Sequence, residues 1–333
     1  MIQKDPGVIV GPLSSFFGFI LNVIYDCIYA LSSSEKHTLG FAIIIMTIVA
    51  KLIMLPLNIK SQKSMQAMQK LQPEMEKIKA KYGDNPTNEQ QQKMSMEVSQ
   101  LYSKHKANPL TGCLPMFIQF PIFMALYYIM NQSHNFIAKL NEVYTSIASL
   151  IMGSEYFEVL KTLALPKLPN GLSIDLAVEA DVVKVLGKFT QVDWDYLLSQ
   201  VTTDTAASIE TLLLRKQDIE HFFGIILTEN TGFSWPSILI PIACVVFTFI
   251  TSYMSNKQSK STDPSVKMQQ NIMLFGMPIM MGFITFGMPA GVGLYWATSN
   301  AIQIIQQYAL TKYFSRDKNN DEIVDPKPAK KKK

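Results

Sequence analysis

Residues 40–57 read GFAIIIMTIVAKLIMLPL, an apolar run about the length needed to cross a bilayer, with Lys51 near its middle. An ammonium at the centre of a spanning helix costs roughly 2.5–3.5 kcal/mol on insertion scales. At about 1.5 Å of rise per residue it stands roughly 17 Å from one end of the run and roughly 9 Å from the other, further than a lysine stem reaches by snorkelling. The run therefore predicts a membrane helix whose cation faces water or polar groups inside the bilayer, and the rest of the chain has to account for that.

Working outward, four more apolar stretches qualify as spans. The predicted order is a first transmembrane helix at 40–59, a second at 110–131, a third at 236–255, a fourth at 270–287 and a fifth at 290–311. Pro115 and Pro121 in the second and Pro278 in the fourth predict kinks. Upstream, residues 11–31 are apolar but interrupted by Asn22 and Asp26. They read as an amphipathic helix lying in the membrane interface, with a further span as the alternative. The N-terminus shows no basic region leading to an apolar core and no small-residue cleavage site, so no cleavable presequence is expected.

Charge sets the orientation. Residues 60–106 hold nine lysines against five acids, the 256–268 loop holds Lys257, Lys260 and Lys267 against Asp263, and the tail at 312–333 ends in Lys330, Lys331, Lys332 and Lys333. Residues 132–235 reverse the balance, with seven basic and thirteen acidic side chains. The arrangement that satisfies every loop puts the N-terminus outside, the C-terminus in the cytoplasm and the acidic segment outside. That segment reads as a small, mostly helical domain with a short strand pair around 172–192. The fold class is an all-α polytopic membrane protein.

The cytoplasmic stretch 60–108 predicts a helical hairpin turning at Tyr82 to Pro86, with Pro73 bending or restarting its first arm. Met65, Met68, Leu71, Met75 and Ile78 share one face, and Met94, Val98, Leu101 and His105 form a second stripe. An antiparallel pair whose stripes bury each other explains this. So does a soft surface for apolar partners of variable sequence, because methionine adapts its shape.

Inside the spans, Thr47 sits a turn before Lys51, Gln119 interrupts the second span, and Trp296, Asn300, Gln303 and Gln307 recur along one face of the fifth beside Tyr295. Interhelical hydrogen bonding alone explains many such residues. It does not explain a full charge. No Asp or Glu occurs in any of the five spans, so Lys51 has no acidic partner there, and a wet groove is the economical account. The same absence argues against an ion-coupled pump. Three cysteines in apolar segments and four scattered histidines suggest neither a disulfide framework nor a metal site, and no nucleotide-binding or hydrolase motif appears. Neither an enzyme nor a cofactor is expected.

These stretches, with QAMQKLQPEMEKIK, NPLTGCLPMFIQFPIFMALYYIM and MPAGVGLYWATSNAIQIIQQY, resemble the YidC/Oxa family of membrane protein insertases over about 12–131 and 236–314. The resemblance implies a five-helix insertase core with a groove open to the cytoplasm and to lipid and closed toward the outside. Its groove positions would be Thr47, Lys51, Gln119, Tyr295 and Trp296, to which the stripe adds Asn300 and Gln303. It implies substrate contacts on the hairpin (Met65, Met68, Met75, Met94) and ribosome contacts, through ribosomal RNA, at Lys330 to Lys333. The partners would be nascent membrane proteins, the ribosome and the bilayer of a bacterial plasma membrane, with a Sec translocon and the signal recognition particle receptor left open. Two departures stand out. The family's groove cation is usually arginine, and the 132–235 insertion is far longer than the loop expected in members from Gram-positive bacteria. Rival readings are a channel or small-solute transporter, for which no internal repeat is found, and a chaperone that only folds helices beside a translocon.

Overall fold

The computed structural model describes residues 7–83, 87–105, 109–152, 155–164, 166, 175–256 and 264–316. Residues 84–86 of the predicted Tyr82 to Pro86 turn, the 256–268 lysines other than Lys267, the turn signal LPKLPNG at 165–171 apart from Pro166, and Lys330 to Lys333 lie outside the described residues. What is described is almost wholly helical. The one strand pair among the described residues, β1 (His221–Phe222) with β2 (Ile225–Ile226), is antiparallel with His221 opposite Ile226.

Helix α1 (Gly7–Ser32) packs against α2 (Thr38–Ile53) and α5 (Pro109–Asn131). Ser14 is fully buried with its Oγ 3.3 Å from Ala125 O of α5, and Asn22 is held by the segment that follows α5. The Asn22 amide donates to Phe136 O at 2.8 Å and its carbonyl accepts from Ala138 N at 2.9 Å, and Ser14 Oγ reaches Val10 O at 2.8 Å. Asp26 remains exposed, so it costs little only where that face of α1 meets water or headgroups. At 26 residues α1 is long and apolar enough to cross a membrane, which leaves both readings of 11–31 physically open.

The first predicted span is not one rod. Helix α2 ends at Ile53, and α3 (Leu55–Tyr82) continues after a 56° bend at Met54. Pro56 is the cause: it has no N–H to give Leu52 O, and its ring crowds that carbonyl. Pro73, by contrast, is carried inside α3 without ending it. Helix α4 (Asn88–Lys104) starts at a capping box, in which Gln90 N donates to Thr87 Oγ1 at 3.3 Å and Thr87 N donates to Gln90 Oε1 at 2.9 Å. It lies back along α3 over a seam built on Leu71 and Leu101.

Helices α12 (Leu239–Asn256), α14 (Met277–Phe286) and α15 (Ala290–Arg316) form the second half of the bundle. Helix α5 is continuous through Pro115 and Pro121. Ahead of Pro278, α13 (Pro264–Asn271) passes into α14 through a π-helical turn, Ile272–Gly276, a common way to absorb a distorted turn. By length and composition two helices qualify as spans among the described residues, α1 and α12, or three if α2 and α3 count as one. Helix α15 is long enough, but its amide-rich faces dilute its apolar character.

Between α5 and α12 come α6 (Ser133–Phe136), α7 (Ala138–Ile151), α8 (Phe157–Ala164), α9 (Glu179–Leu186), α10 (Gln191–Gln200) and α11 (Thr203–Glu220). The strand pair expected at 172–192 is not there. The described part of that range holds α9 and the start of α10, and the pair falls at 221–226 instead, because Phe223 and Gly224 take the positive φ values of a tight hairpin turn. The inserted helices share one core with the bundle. Leu140, Val143 and Ile147 of α7 and Val182 and Leu186 of α9 belong to the same buried cluster as Leu39 and Ile43 of α2 and Leu126 and Ile129 of α5.

At this junction Lys188 Nζ donates to Asn131 O, near the end of α5, at 2.8 Å, and Gly187 sits against His134 so closely that a Cβ there would stand 2.2 Å from Nδ1. Burial, reinforced by Lys188 and Lys184, lowers the His134 pKa from 6.5 to about 4. The unfolded chain therefore binds this proton first as pH falls. Stability conferred by the neutral ring is complete above pH 7 and is lost between 6.5 and 4, by about 3 kcal/mol in all. The thermal midpoint should drop across that window, and His134→Phe should flatten the drop.

Candidate functional site

Lys51 lies in the last turn of α2, 13 residues or about 20 Å along the axis from Thr38, with the bend three residues beyond it. Its side chain is only 7% exposed. Nζ donates to Gln119 Oε1 of α5 and to Gln303 Oε1 of α15, both at 3.4 Å. Both contacts exceed the usual 2.7–3.2 Å range, and both acceptors are neutral. Among the described residues no carboxylate stands within ion-pair distance of Lys51. Gln119 Nε2 in turn donates to the buried Tyr295 hydroxyl. Lys51, Gln119, Tyr295 and Gln303 thus form one connected group drawn from three helices.

The other predicted positions divide. Thr47 is fully buried, and its hydroxyl donates back to Ile43 O at 2.6 Å, so it offers its surroundings only a lone pair. Trp296 faces away from Lys51: Nε1 donates to Thr248 Oγ1 of α12 at 3.2 Å, and the ring meets Phe123 of α5 edge-on at 5.4 Å. Asn300 donates to Trp296 O at 2.9 Å, and Gln307 Nε2 donates to Ser255 Oγ at 3.1 Å. Trp296 and Gln307 therefore fasten α15 to α12. The face that carries the Lys51 group begins one residue earlier, at Tyr295, and continues through Gln303 and Gln306, at spacings of eight and three.

Gln306 was not singled out by the sequence. Its Nε2 donates to the Lys51 carbonyl at 3.3 Å, and its Oε1 accepts from Asn58 Nδ2 of α3 at 3.3 Å. One amide therefore bridges the bend that Pro56 creates, and Asn58, also unremarked, is buried at the base of the hairpin. The available signal was Pro56 followed two residues later by a polar side chain.

Toward the start of α2 the polar group gives way to a dry layer of Leu39, Ala42, Ile43 and Met46, met by Leu126, Ile129 and Met130 of α5 and Val292 of α15. Main-chain bonds close that end. The N-terminal N–H groups of α15 have no partner within their own helix. Ala290 N donates to Glu229 O at 2.8 Å, Gly291 N donates to Leu227 O at 2.7 Å, and Thr231 N returns a bond to Met288 O at 3.2 Å. The close approach needs a glycine, because a Cβ at 291 would lie 2.7 Å from Met130 Sδ and 3.1 Å from Leu227 O. Helices α5 and α12 both pack on α15 and, among the described residues, make no extensive contact with each other. Both helices also carry exposed apolar side chains, Phe117 and Phe120 on α5 and Val246 and Phe249 on α12.

On the hairpin, Met68 and Met75 are half-buried against Leu71 and Leu101, and Tyr102 OH donates to Met75 Sδ at 2.8 Å. Met65 and Met94 are also half-buried. The most exposed of these methionines is Met96, at 58%, which lies outside the predicted stripe.

The family described as 60Kd inner membrane protein matches residues 31–180 and 194–318 of the chain. A protein of Oceanobacillus iheyensis named "Membrane protein insertase YidC" is 28% identical over 275 residues, which are 82% of this chain and 74% of that one. One of the same name from Fusobacterium nucleatum is 26% identical over 297 residues, 88% of this chain and 98% of its own. Another, from Anaeromyxobacter dehalogenans, is 51% identical over 117 residues, 35% of this chain and 20% of its own.

Proposed function

The chain belongs to the 60Kd inner membrane protein family, and from that premise we propose that it inserts nascent membrane proteins into the bilayer through a hydrophilic groove open to the cytoplasm, with Lys51 as its cation. It is a bacterial membrane protein of helical build, and its relatives named for this activity are similar over most of its length.

One observation supports the groove above the rest. A buried ammonium held by two long contacts to neutral amides is under-solvated, since burying a charge is costly unless it is paired and fully hydrogen-bonded. Water entering from the hairpin side, past Asn58 and Gln306, supplies the missing shell. The dry layer and the main-chain closure at the other end keep that water from passing through. The floor is then the Tyr295–Gln306 face of α15, the walls are α5 and α12, and the gap between the walls opens to lipid.

In this reading an acidic or polar tail of a substrate is drawn to Lys51 while its apolar segment leaves through the gap. At an effective dielectric constant near 20, a carboxylate 4 Å from an ammonium gains about 4 kcal/mol. Each 1.36 kcal/mol taken from the barrier is tenfold in rate, so about 3 kcal/mol supplies a factor of about a hundred. No nucleotide is required. The N-terminus faces outside and the basic tail faces the cytoplasm.

The test is purified protein in liposomes given a single-span substrate and no other factor. Insertion is expected, and its absence would favour a chaperone acting only beside a translocon. Leak of small solutes through the same vesicles would favour a channel. Removing Lys327 to Lys333 should lower ribosome co-sedimentation at about 0.1 M salt, and the difference should close as the Debye length shrinks from about 10 Å toward 3 Å near 1 M. A salt-independent effect would remove the tail from the contact.

A further inference from the structure

We infer that the segment 222–235 is seated in the outer headgroup–acyl boundary of the bilayer, so that part of the long insertion is a lipid-binding collar. The inference rests on the proposed orientation, with the insertion outside, and is independent of the groove.

Composition marks the segment off. From Phe222 to Ile242 the only charged residue is Glu229. Within it Phe223 is 63% exposed, Phe233 78% and Trp235 77%. Other exposed apolar side chains of the insertion, such as Val192 and Leu214, are single residues beside charges (Asp193, Arg215) and need no partner.

Each of the three aromatics stands at the end of a bundle helix. Phe223 packs edge-on against Phe41 in the first turns of α2, with centroids 6.3 Å apart. Phe233 stacks on Phe286, the last residue of α14, at 4.3 Å. Trp235 precedes α12, and the hairpin tip abuts it, since a Cβ on Gly224 would lie 3.0 Å from Pro236 Cγ. The positive φ values of Phe223 and Gly224, 47° and 84°, turn the tip so that Phe223 projects.

Below these positions the same helices continue with exposed apolar side chains: Ile45 on α2, Ile242 and Val246 on α12, Ile279 and Phe283 on α14. In a membrane protein that surface faces lipid. The aromatics extend it at one rim, where amphipathic and aromatic rings settle at the level of the headgroups. That continuity selects lipid over a protein partner.

Trp235 reports on this directly. The chain has three tryptophans, and Trp194→Phe with Trp296→Phe leaves Trp235 alone. In proteoliposomes its emission should be quenched strongly by lipids brominated near the top of the acyl chain, less by deep bromines, and little by aqueous iodide. Quenching by iodide with none by brominated lipid would overturn the inference. So would protection from both, which would mean a second copy or another protein covers the ring. The unaltered chain supplies a second arm that does not depend on how the substitutions fold. Chymotrypsin added on the outer side should spare Phe223 and Phe233 in vesicles and cut there in mild detergent, whereas cutting in vesicles would place the segment in water.

Discussion

Lys51→Glu is expected to slow insertion of a single-span substrate with an acidic outer tail by about a hundredfold or more in purified proteoliposomes, because an attraction of a few kcal/mol becomes a repulsion. Lys51→Arg keeps the charge and adds donors that Gln119 and Gln303 can accept, so it should remain within about threefold, a change worth under 1 kcal/mol. Lys51→Ala should fall between them, with a smaller loss for substrates whose tails are neutral. Thermal midpoints in detergent would separate this from misfolding. The glutamate variant should be no less stable than alanine by more than about 1 kcal/mol, since Gln119 and Gln303 can turn their amide N–H groups toward a carboxylate. If alanine and glutamate both insert at the native rate with every substrate, Lys51 is a structural residue and the groove reading fails.

Gly40→Ala should destabilise the protein by about 1–3 kcal/mol, the usual range for overpacking. A Cβ at 40 would lie 2.0 Å from Phe222 Cδ2 and within 2.5 Å of two further ring atoms, and Phe222 is buried. The ring must leave its site, taking with it the contact between β1 and the start of α2. A double-mutant cycle isolates the cause. In a Phe222→Ala background the obstacle is gone, and Gly40→Ala should be neutral or slightly stabilising, as alanine is in a helix. Equal losses in the two backgrounds would mean that the hairpin does not rest on α2 as described.

Much of this was legible in the sequence, and the exceptions have physical reasons. Helix existence follows from apolar periodicity, so α5, α12 and α15 could be placed within a few residues. The two arms α3 and α4 were legible from their apolar stripes. Lys51, Gln119, Tyr295 and Gln303 could be picked out because polar side chains in apolar runs are few, and the structure brings these four together. Three things were not legible. The break at Met54 was missed because a proline one residue from the end of an apolar run looks like a helix terminus and not a bend within one. The division of α15 into a face toward α12 and a face toward α2 was missed because Tyr295 and Trp296 are adjacent, so two polar stripes overlap, and only packing shows which neighbour each one meets. The strand pair was misplaced because a two-residue strand leaves almost no periodic signal. Its turn at Phe223 and Gly224 depends on backbone angles more than on composition.

The closure at the start of α15 bears on how voltage acts on this protein. Ala290 and Gly291 hand their N–H groups to Glu229 and Leu227, and the layer beneath is wholly apolar. With water reaching Lys51 from the cytoplasm as proposed, the electrical potential of the cell falls across that thin layer and not across the full hydrocarbon thickness. A negative tail then crosses the whole inside-negative voltage, worth about 2.3 kcal/mol per charge at 100 mV, in a shorter stride and in the favoured direction.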